Sequence, residues 1–554
     1  MRRSARLSAR LLTAALLTAA LGAAGLAACA GASGGAGDTG GLGNEPRTER
    51  SVARFEADDW ITFGDFRYVA TVAASQTMAY FGSTAGVERL DTLRDRWLSP
   101  VTAADGLPDD RVTALAVDPV GDDLWIGTRR GLAHLVFDGT VERAWGPPPT
   151  AVLELAIDPR DGSVYAFVAG GWWRGRGGSP VFERSEPPPS GASSAVDARD
   201  LDPTSVPWMD PLYVRSPAHP SEVFRLTRVV RDLRGDFYVG TWGDNGRRWG
   251  RARADWEALY FGLAGASGGP LARTSDGTWF AAGPGRAPGD GTAPAAMAMA
   301  DSSGRWSYVL PGRTPGLPTA VAHCLLAAGD TLYMGSDHGL TRRVGDTWTT
   351  WGWSAEPSLG AVTALAKDGN RLWVGTTSGL VAFDPATGRG EVVHLRGQAV
   401  TALHAARDTV FVGTDTGLWM GVRRVGETPS DSFARLPSLG GDIRALARLG
   451  DLLAVGTGTG LEIWPRGGGE PQRILAGGRL TEPPLSLAAD GEQLWIGTRT
   501  GLLRYQPLSG EWDRYGPGDG LAEGPVLHLL AEPGAIWAST PAGVTRFGWR
   551  NAGP

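Results

Sequence analysis

The sequence predicts an all-β protein built as a β-propeller, and three observations carry that prediction. One short phrase returns along the whole chain: Ala79-Tyr80-Phe81-Gly82-Ser83, Leu124-Trp125-Ile126-Gly127-Thr128 and Phe237-Tyr238-Val239-Gly240-Thr241, then Leu332-Tyr333-Met334-Gly335-Ser336 and Leu372-Trp373-Val374-Gly375-Thr376. It continues as Val410-Phe411-Val412-Gly413-Thr414, Leu453-Ala454-Val455-Gly456-Thr457, Leu494-Trp495-Ile496-Gly497-Thr498 and the weaker Ile536-Trp537-Ala538-Ser539-Thr540. From Gly335 through Gly375, Gly413 and Gly456 to Gly497 the intervals are 40, 38, 43 and 41 residues, the period of a propeller blade. The 554 residues include 81 Gly and 38 Pro, which punctuate short elements, and no segment shows the 3.6 spacing of a helical repeat.

The first 29 residues read as an address. Arg2, Arg3, Arg6 and Arg10 precede an uncharged Leu/Ala run over 11–28, the pattern of a secretory leader. The run ends in Leu26-Ala27-Ala28-Cys29, which resembles a bacterial lipobox. That resemblance implies that the Cys29 thiol receives a diacylglycerol and becomes the mature N-terminus; the alternative is an ordinary cleavage site that contains Cys. Residues 30–57 open rich in Gly, Ala and Ser without apolar periodicity, a flexible tether. No later segment approaches an apolar run of spanning length. The expectation is an exported protein, lipid-anchored to the cell envelope at the outer membrane or cell surface.

The repeating unit can be read strand by strand. In one copy, 362–366 alternates and opens the blade, Asp368-Gly369-Asn370 turns, and 372–375 is the second strand. Thr377-Ser378-Gly379 turns again before a third strand at 380–383, and an outer strand follows at 391–394. Four antiparallel strands in about forty residues make one blade. Degraded copies at Val164-Tyr165-Ala166-Phe167 and Thr278-Trp279-Phe280-Ala281 bring the count to eleven, and Leu212-Tyr213-Val214 marks a place for a twelfth. The last copy has only three strands, whereas Trp60-Ile61-Thr62-Phe63 is a strand without a blade. It is expected to close the last blade, because a closed ring leaves no open edge. Rings hold about four to eight blades, so 11–12 units predict two rings, with one large ring as the alternative. The repeats are irregular over 58–318, where 58–66 is the closing strand, and regular over 319–550; a break between rings is expected near Pro318.

Leu-Trp-Ile-Gly-Thr followed by Gly-Leu, as at 124–132, 372–380 and 494–502, resembles the two-component-regulator propeller repeat, over roughly residues 60–549. The resemblance implies an extracytoplasmic sensor domain, often one joined to a membrane-spanning histidine kinase that responds to glycans. No membrane span, kinase or DNA-binding segment follows the repeats before Pro554, so the expectation is binding without signal output of its own.

The net charge of −6, with both signs mixed, does not fit a nucleic-acid footprint. With Cys29 lipidated, Cys324 has no partner and reads as a buried, inert thiol. Seven His are scattered singly. Gly265-Ala266-Ser267-Gly268-Gly269 and Gly31-Ala32-Ser33-Gly34-Gly35 match a nucleophile elbow but lack its helix. Gly456-Thr457-Gly458-Thr459-Gly460 lacks the lysine of a phosphate loop. No catalytic residue, metal or cofactor is expected.

In an up-and-down blade, turns between the second and third strands share a face with the blade-to-blade connections. That face is expected to carry Arg129, Arg130, Trp172, Trp173, Asp337, His338, Asp415 and Arg499. A longer turn in the fourth blade adds Trp242, Asp244, Asn245, Arg247 and Trp249. Aromatic rings flanked by polar groups suit a sugar, and turn chemistry explains the same residue types without one. Trp125, Trp373 and Trp495 read as core between blades. The function expected is a non-catalytic envelope propeller that binds a ligand, an oligosaccharide among the candidates. The alternatives are a scaffold for envelope proteins and a propeller enzyme such as a lyase or hydrolase.

Overall fold

The computed structural model describes residues 59–549, apart from segments at 119–122, 137–138, 193–195, 198–212, 216–222, 233, 251–254, 286–292, 353–358, 407–408, 423–432, 439–440 and 466–468. The leader, Cys29 and the tether lie outside the described residues. Among the described residues no helix is long and apolar enough to cross a membrane.

Eleven antiparallel sheets follow one another, ten with their strands in chain order from the first strand outward. They are blades 1 to 11 below, at residues 69–101, 112–143, 152–185, 196–259, 271–309, 324–351, 362–394, 400–436, 443–475, 486–515 and 528–547. Blade 7 is the unit read from the sequence, with strands Val362–Asp368, Arg371–Thr376, Gly379–Asp384 and Arg389–His394. Alternation along each strand serves two cores at once. Leu372 and Val374 pack towards blade 6, and Trp373 packs towards blade 8 with Val400, Val410 and Val412. Trp125, Trp373 and Trp495 are all buried in this way.

The glycine of the repeated phrase exists for this packing. A Cβ on Gly375 would stand 2.5 Å from Val400 in the first strand of blade 8. The same clash would join Gly413 to Ile443, Gly335 to Val362, Gly82 to Val112 and Gly127 to Val152. These contacts also report the order of the blades. Blade 5 meets blade 6 through the Ala282–Val321 bridge, and blade 11 returns to the approach to blade 5 through the Ser539 hydroxyl on the Gly269 carbonyl, 2.8 Å. Blades 5 to 11 therefore form a closed cycle of seven. The remaining blades pack in the order 4-1-2-3, since Gly240 of blade 4 meets Val69 of blade 1.

The N-terminal strand closes the last blade as expected. Trp60–Phe63 pairs antiparallel with Gly543–Phe547 in the register Trp60–Phe547, Ile61–Arg546, Thr62–Thr545 and Phe63–Val544. Trp60 stacks on Phe547 at 3.9 Å, and the Thr62 and Thr545 hydroxyls are 2.8 Å apart. From the outer strand of blade 11 the chain thus goes on to build blades 1 to 4, and returns to start blade 5. The group of four is an insertion into the cycle of seven.

Two expectations change. The packing does not break near Pro318: blade 5 sits within the cycle, and the change of group falls between Leu259 and Leu271. Blade 5 looks irregular in sequence because a long connection, 281–296, separates its second and third strands. Insertions loosen the repeat without moving the blade. The twelfth unit is absent among the described residues, because Tyr213–Arg215 pairs with Val223–Arg231 as an extra strand of blade 4.

The seam between the two groups combines aromatic packing, with Phe66 and Trp97 against Phe261, and buried polar pairs. Arg67 and Asp65 form a buried ion pair at 2.8 Å, and Arg67 Nη1 donates to the Pro294 carbonyl. The Arg67 carbonyl accepts from the amides of Gly243 and Asn245, while the Asn245 amide side chain and the Tyr308 hydroxyl both donate to the Phe261 carbonyl. Glu88 lies fully buried in blade 1, with no hydrogen-bond partner for either carboxyl oxygen.

Candidate functional site

The threonine of the repeated phrase builds the turn that follows it. Thr128 Oγ1 donates to the Gly131 carbonyl at 2.9 Å and accepts from the Arg130 amide at 3.2 Å. Thr376, Thr414, Thr457 and Thr498 bond the matching glycine carbonyls. The two residues between threonine and glycine are left projecting, which is why Arg129 and Arg130 are exposed.

The other expected site residues separate into three groups. Asp337, His338, Asp415 and Arg499 are exposed on the turns of blades 6, 8 and 10, and Asp337 pairs with His323 at 2.8 Å. Trp172 and Trp173 lie in the third strand of blade 3, Gly171–Gly175, rather than in its turn. Trp172 packs on Phe167, and Trp173 lies beneath Arg184. The turn itself is Ala169-Gly170, between the paired Val168 and Gly171, as Arg129-Arg130 lies between the paired Thr128 and Gly131, so the two tryptophans take the strand positions of Leu132 and Ala133. In blade 4, Asp244, Asn245 and Arg247 are buried, and Asp244 and Arg247 form an ion pair with each other. Trp242 meets Tyr68 edge-on, and Trp249 meets Trp256 in the same way. The turn is shorter than expected: Trp242 ends the second strand and Arg247 and Trp249 lie in the third, Gly246–Gly250, and the residues between them pack into the seam and offer no exposed platform.

One cavity of about 410 Å³ brings distant segments together. Its floor is Thr62 of the closing strand and Thr84 of the turn between the second and third strands of blade 1. One wall is the approach to blade 2 with Asp109, Asp110 and Arg111, completed by Arg129 and Arg130. The opposite wall is the approach to blade 11, with Leu521, Ala522 and Glu523. Of the expected residues, only Arg129 and Arg130 line it, and no aromatic side chain does.

Two matching turns hold the walls. In Thr102–Leu107, the Asp105 carboxylate accepts from the Thr102 amide (2.8 Å) and hydroxyl (2.9 Å), Gly106 takes φ +112°, and Leu107 is buried. In Gly516–Leu521, the Asp519 carboxylate accepts from the Gly516 amide at 2.8 Å, Gly520 takes φ +111°, and Leu521 is buried. The repeated Asp-Gly-Leu is the sequence signal that could have pointed to these walls. Asp109, Asp110, Arg111, Glu523 and Thr84 are the lining residues that sequence reasoning missed.

The charges in the cavity are unevenly matched. Asp109 faces Arg130 at 3.4 Å. Burial pushes the Asp110 carboxyl up to about 6, although the Ala103 amide donates to it at 2.6 Å, and Asp109, Asp105 and Glu523 crowd it with like charge. Among the described residues, Arg111, Arg129 and Glu523 make no ion pair. Thr84 is 8% exposed, and its hydroxyl has no hydrogen-bond partner.

The chain matches the two component regulator propeller family over residues 106–130, a stretch that includes Asp109, Asp110, Arg111, Arg129 and Arg130. No curated protein matches the chain. Among solved structures it is similar to PorZ of Porphyromonas gingivalis, described as an essential bacterial surface component of the type-IX secretion system. That match has 12% identity and a TM-score of 0.54, and covers 88% of this chain and 87% of that one. It is also similar to the extracellular domain of BT4673 from B. thetaiotaomicron, with 14% identity, a TM-score of 0.43 and coverage of 86% and 70%. A third match is virginiamycin B lyase from Staphylococcus aureus, with 13% identity, a TM-score of 0.39 and coverage of 51% and 94%. The likeness to PorZ shows the fold.

Proposed function

From the two component regulator propeller repeat that this chain carries, we propose that the protein is a sensor-like propeller of the cell envelope. It is exported and anchored through Cys29. It binds a small polar ligand in the cavity between the inserted group of four blades and the cycle of seven, and catalyses nothing there. The observation that carries this reading is the convergence of Thr62 from the closing strand, Asp110 and Arg129 from blade 2 and its approach, and Glu523 from the approach to blade 11 on one cavity of about 410 Å³. Cavities of this size with a few converging polar groups are the usual form of a small-ligand site.

The test is thermal unfolding of the protein in the presence of glycan and peptide libraries. A ligand bound only by the folded state stabilises it by about 2.7 kcal/mol at a hundred times its dissociation constant. The expected result is a rise in melting temperature for at least one library member, lost when Arg129 and Arg130 are both replaced by alanine. The reading fails if no library member shifts the wild type, or if the double variant responds equally. In the first case the face is left to docking of other envelope proteins.

A further inference from the structure

We propose that the cavity between the two groups of blades takes a small zwitterion, a free amino acid or short peptide, with its ammonium on Asp110 and Glu523 and its carboxylate on Arg111 and Arg129. This rests on the reading of the cavity as a ligand site and names the class of ligand.

The lining excludes the simpler classes. No aromatic ring lines the cavity, so a neutral sugar finds no stacking face and leaves both kinds of charge unanswered. An anion alone meets Asp110 and Glu523, and a cation alone meets Arg111 and Arg129. A molecule carrying both charges answers both. Guanidinium groups suit a carboxylate because their paired donors match its two oxygens. Asp110 and Glu523 line the same cavity, and an ammonium beside Asp110 offsets the like charge that Asp109, Asp105 and Glu523 place on it. Asp109 and Arg130 already hold each other at 3.4 Å and frame the rim. The buried Thr84 hydroxyl, which lines the cavity without a partner, gains one from the ligand; an unsatisfied buried hydroxyl is otherwise unfavourable.

The titration of Asp110 gives the proposal a pH dependence. Its carboxyl is pushed up to about 6, so it is ionised above that value and neutral below it. The groups facing it are Asp105, Asp109 and Glu523, with the Ala103 amide donating to it. Binding of an ammonium therefore weakens as pH falls through about 6.

The experiment is isothermal titration calorimetry on the full folded chain. The probes are a panel of free amino acids and dipeptides led by glycylglycine, with N-acetylglycylglycine, glycylglycinamide and maltose as comparisons. At least one zwitterion is expected to bind. Its N-acetyl and amide derivatives, each lacking one charge, are expected to bind roughly tenfold or more weakly. Asp110→Asn should remove the pH dependence below neutrality, and Arg129→Ala, an exposed position, should weaken binding without altering the fold. The zwitterion proposal is overturned if a blocked derivative binds as well as its parent. It is also overturned if maltose or another neutral sugar binds in the cavity while every zwitterion fails. In the latter case the cavity remains a ligand site. If nothing binds, the reading of the cavity as a site fails with the proposal.

Discussion

At the scale of single residues, Glu88 is the least comfortable group in the molecule. Its carboxyl is fully buried without a hydrogen bond, and burial, with the nearby Asp65 charge, raises its pKa well above 4.5. The folded state therefore holds a proton that the unfolded chain releases at a lower pH. The contribution of Glu88 to stability is greatest below the ordinary carboxyl range and declines as pH rises from about 4.5 towards the raised value. Glu88→Gln keeps the shape and removes the titration. It is expected to melt at a higher temperature than the wild type at neutral pH, and to lose the decline in melting temperature between acid and neutral solution. A variant with the wild-type pH profile would show that Glu88 is not the group responsible. Nothing in Gly86-Val87-Glu88-Arg89 signals this burial, since an acidic residue in a strand reads as solvent-facing. Arg129 and Arg130 were legible because they fill a turn. Asp109, Asp110 and Glu523 carry no sequence signal of their own, and gain meaning only where the approach to blade 11 lies beside the approach to blade 2.

At the scale of elements, the strand order of each blade was legible because alternation, turn residues and the phrase all agree. Where one of these fails, the reading slips. In blade 3 the degraded phrase hides the register, and the two tryptophans that read as turn residues occupy the third strand, one and two residues beyond the turn's closing Gly171. In blade 4, the turn residues Asp244 and Asn245 are polar for the seam and not for solvent. The phrase itself encodes how blades stack. Gly375→Ala places a Cβ about 2.5 Å from Val400, and such overpacking costs about 1–3 kcal/mol. Chemical denaturation should show that loss. It should also show that Gly375→Ala with Val400→Ala loses less than the two single changes together, because one cavity receives the other's methyl. Strict additivity would mean that the two blades do not meet through this pair.

At the scale of the whole molecule, one topological feature governs the rest: the first and last strands among the described residues lie in the same sheet. Four blades are thereby enclosed between the outer strand of blade 11 and blade 5, and the cavity forms where the enclosed group meets the cycle. Eleven blades were legible from eleven copies of the phrase, and closure of the last blade was legible from a three-stranded last repeat and an orphan strand. The division into four and seven was not, because insertions in blade 5 hide its place in the cycle. The closing strand also supplies Thr62 to the cavity, so closure and site stand together. The most direct test is to replace Thr62 and Thr545 with cysteine. They are opposite partners whose hydroxyls are 2.8 Å apart, within reach of a disulfide. The account predicts that Thr62→Cys with Thr545→Cys crosslinks on oxidation, migrates faster on a non-reducing gel, and unfolds about 2–4 kcal/mol later until reduced. Ile61→Cys with Thr545→Cys, one residue out of register, should not crosslink. Failure of the in-register pair to close, or equal closure of both pairs, would contradict the account.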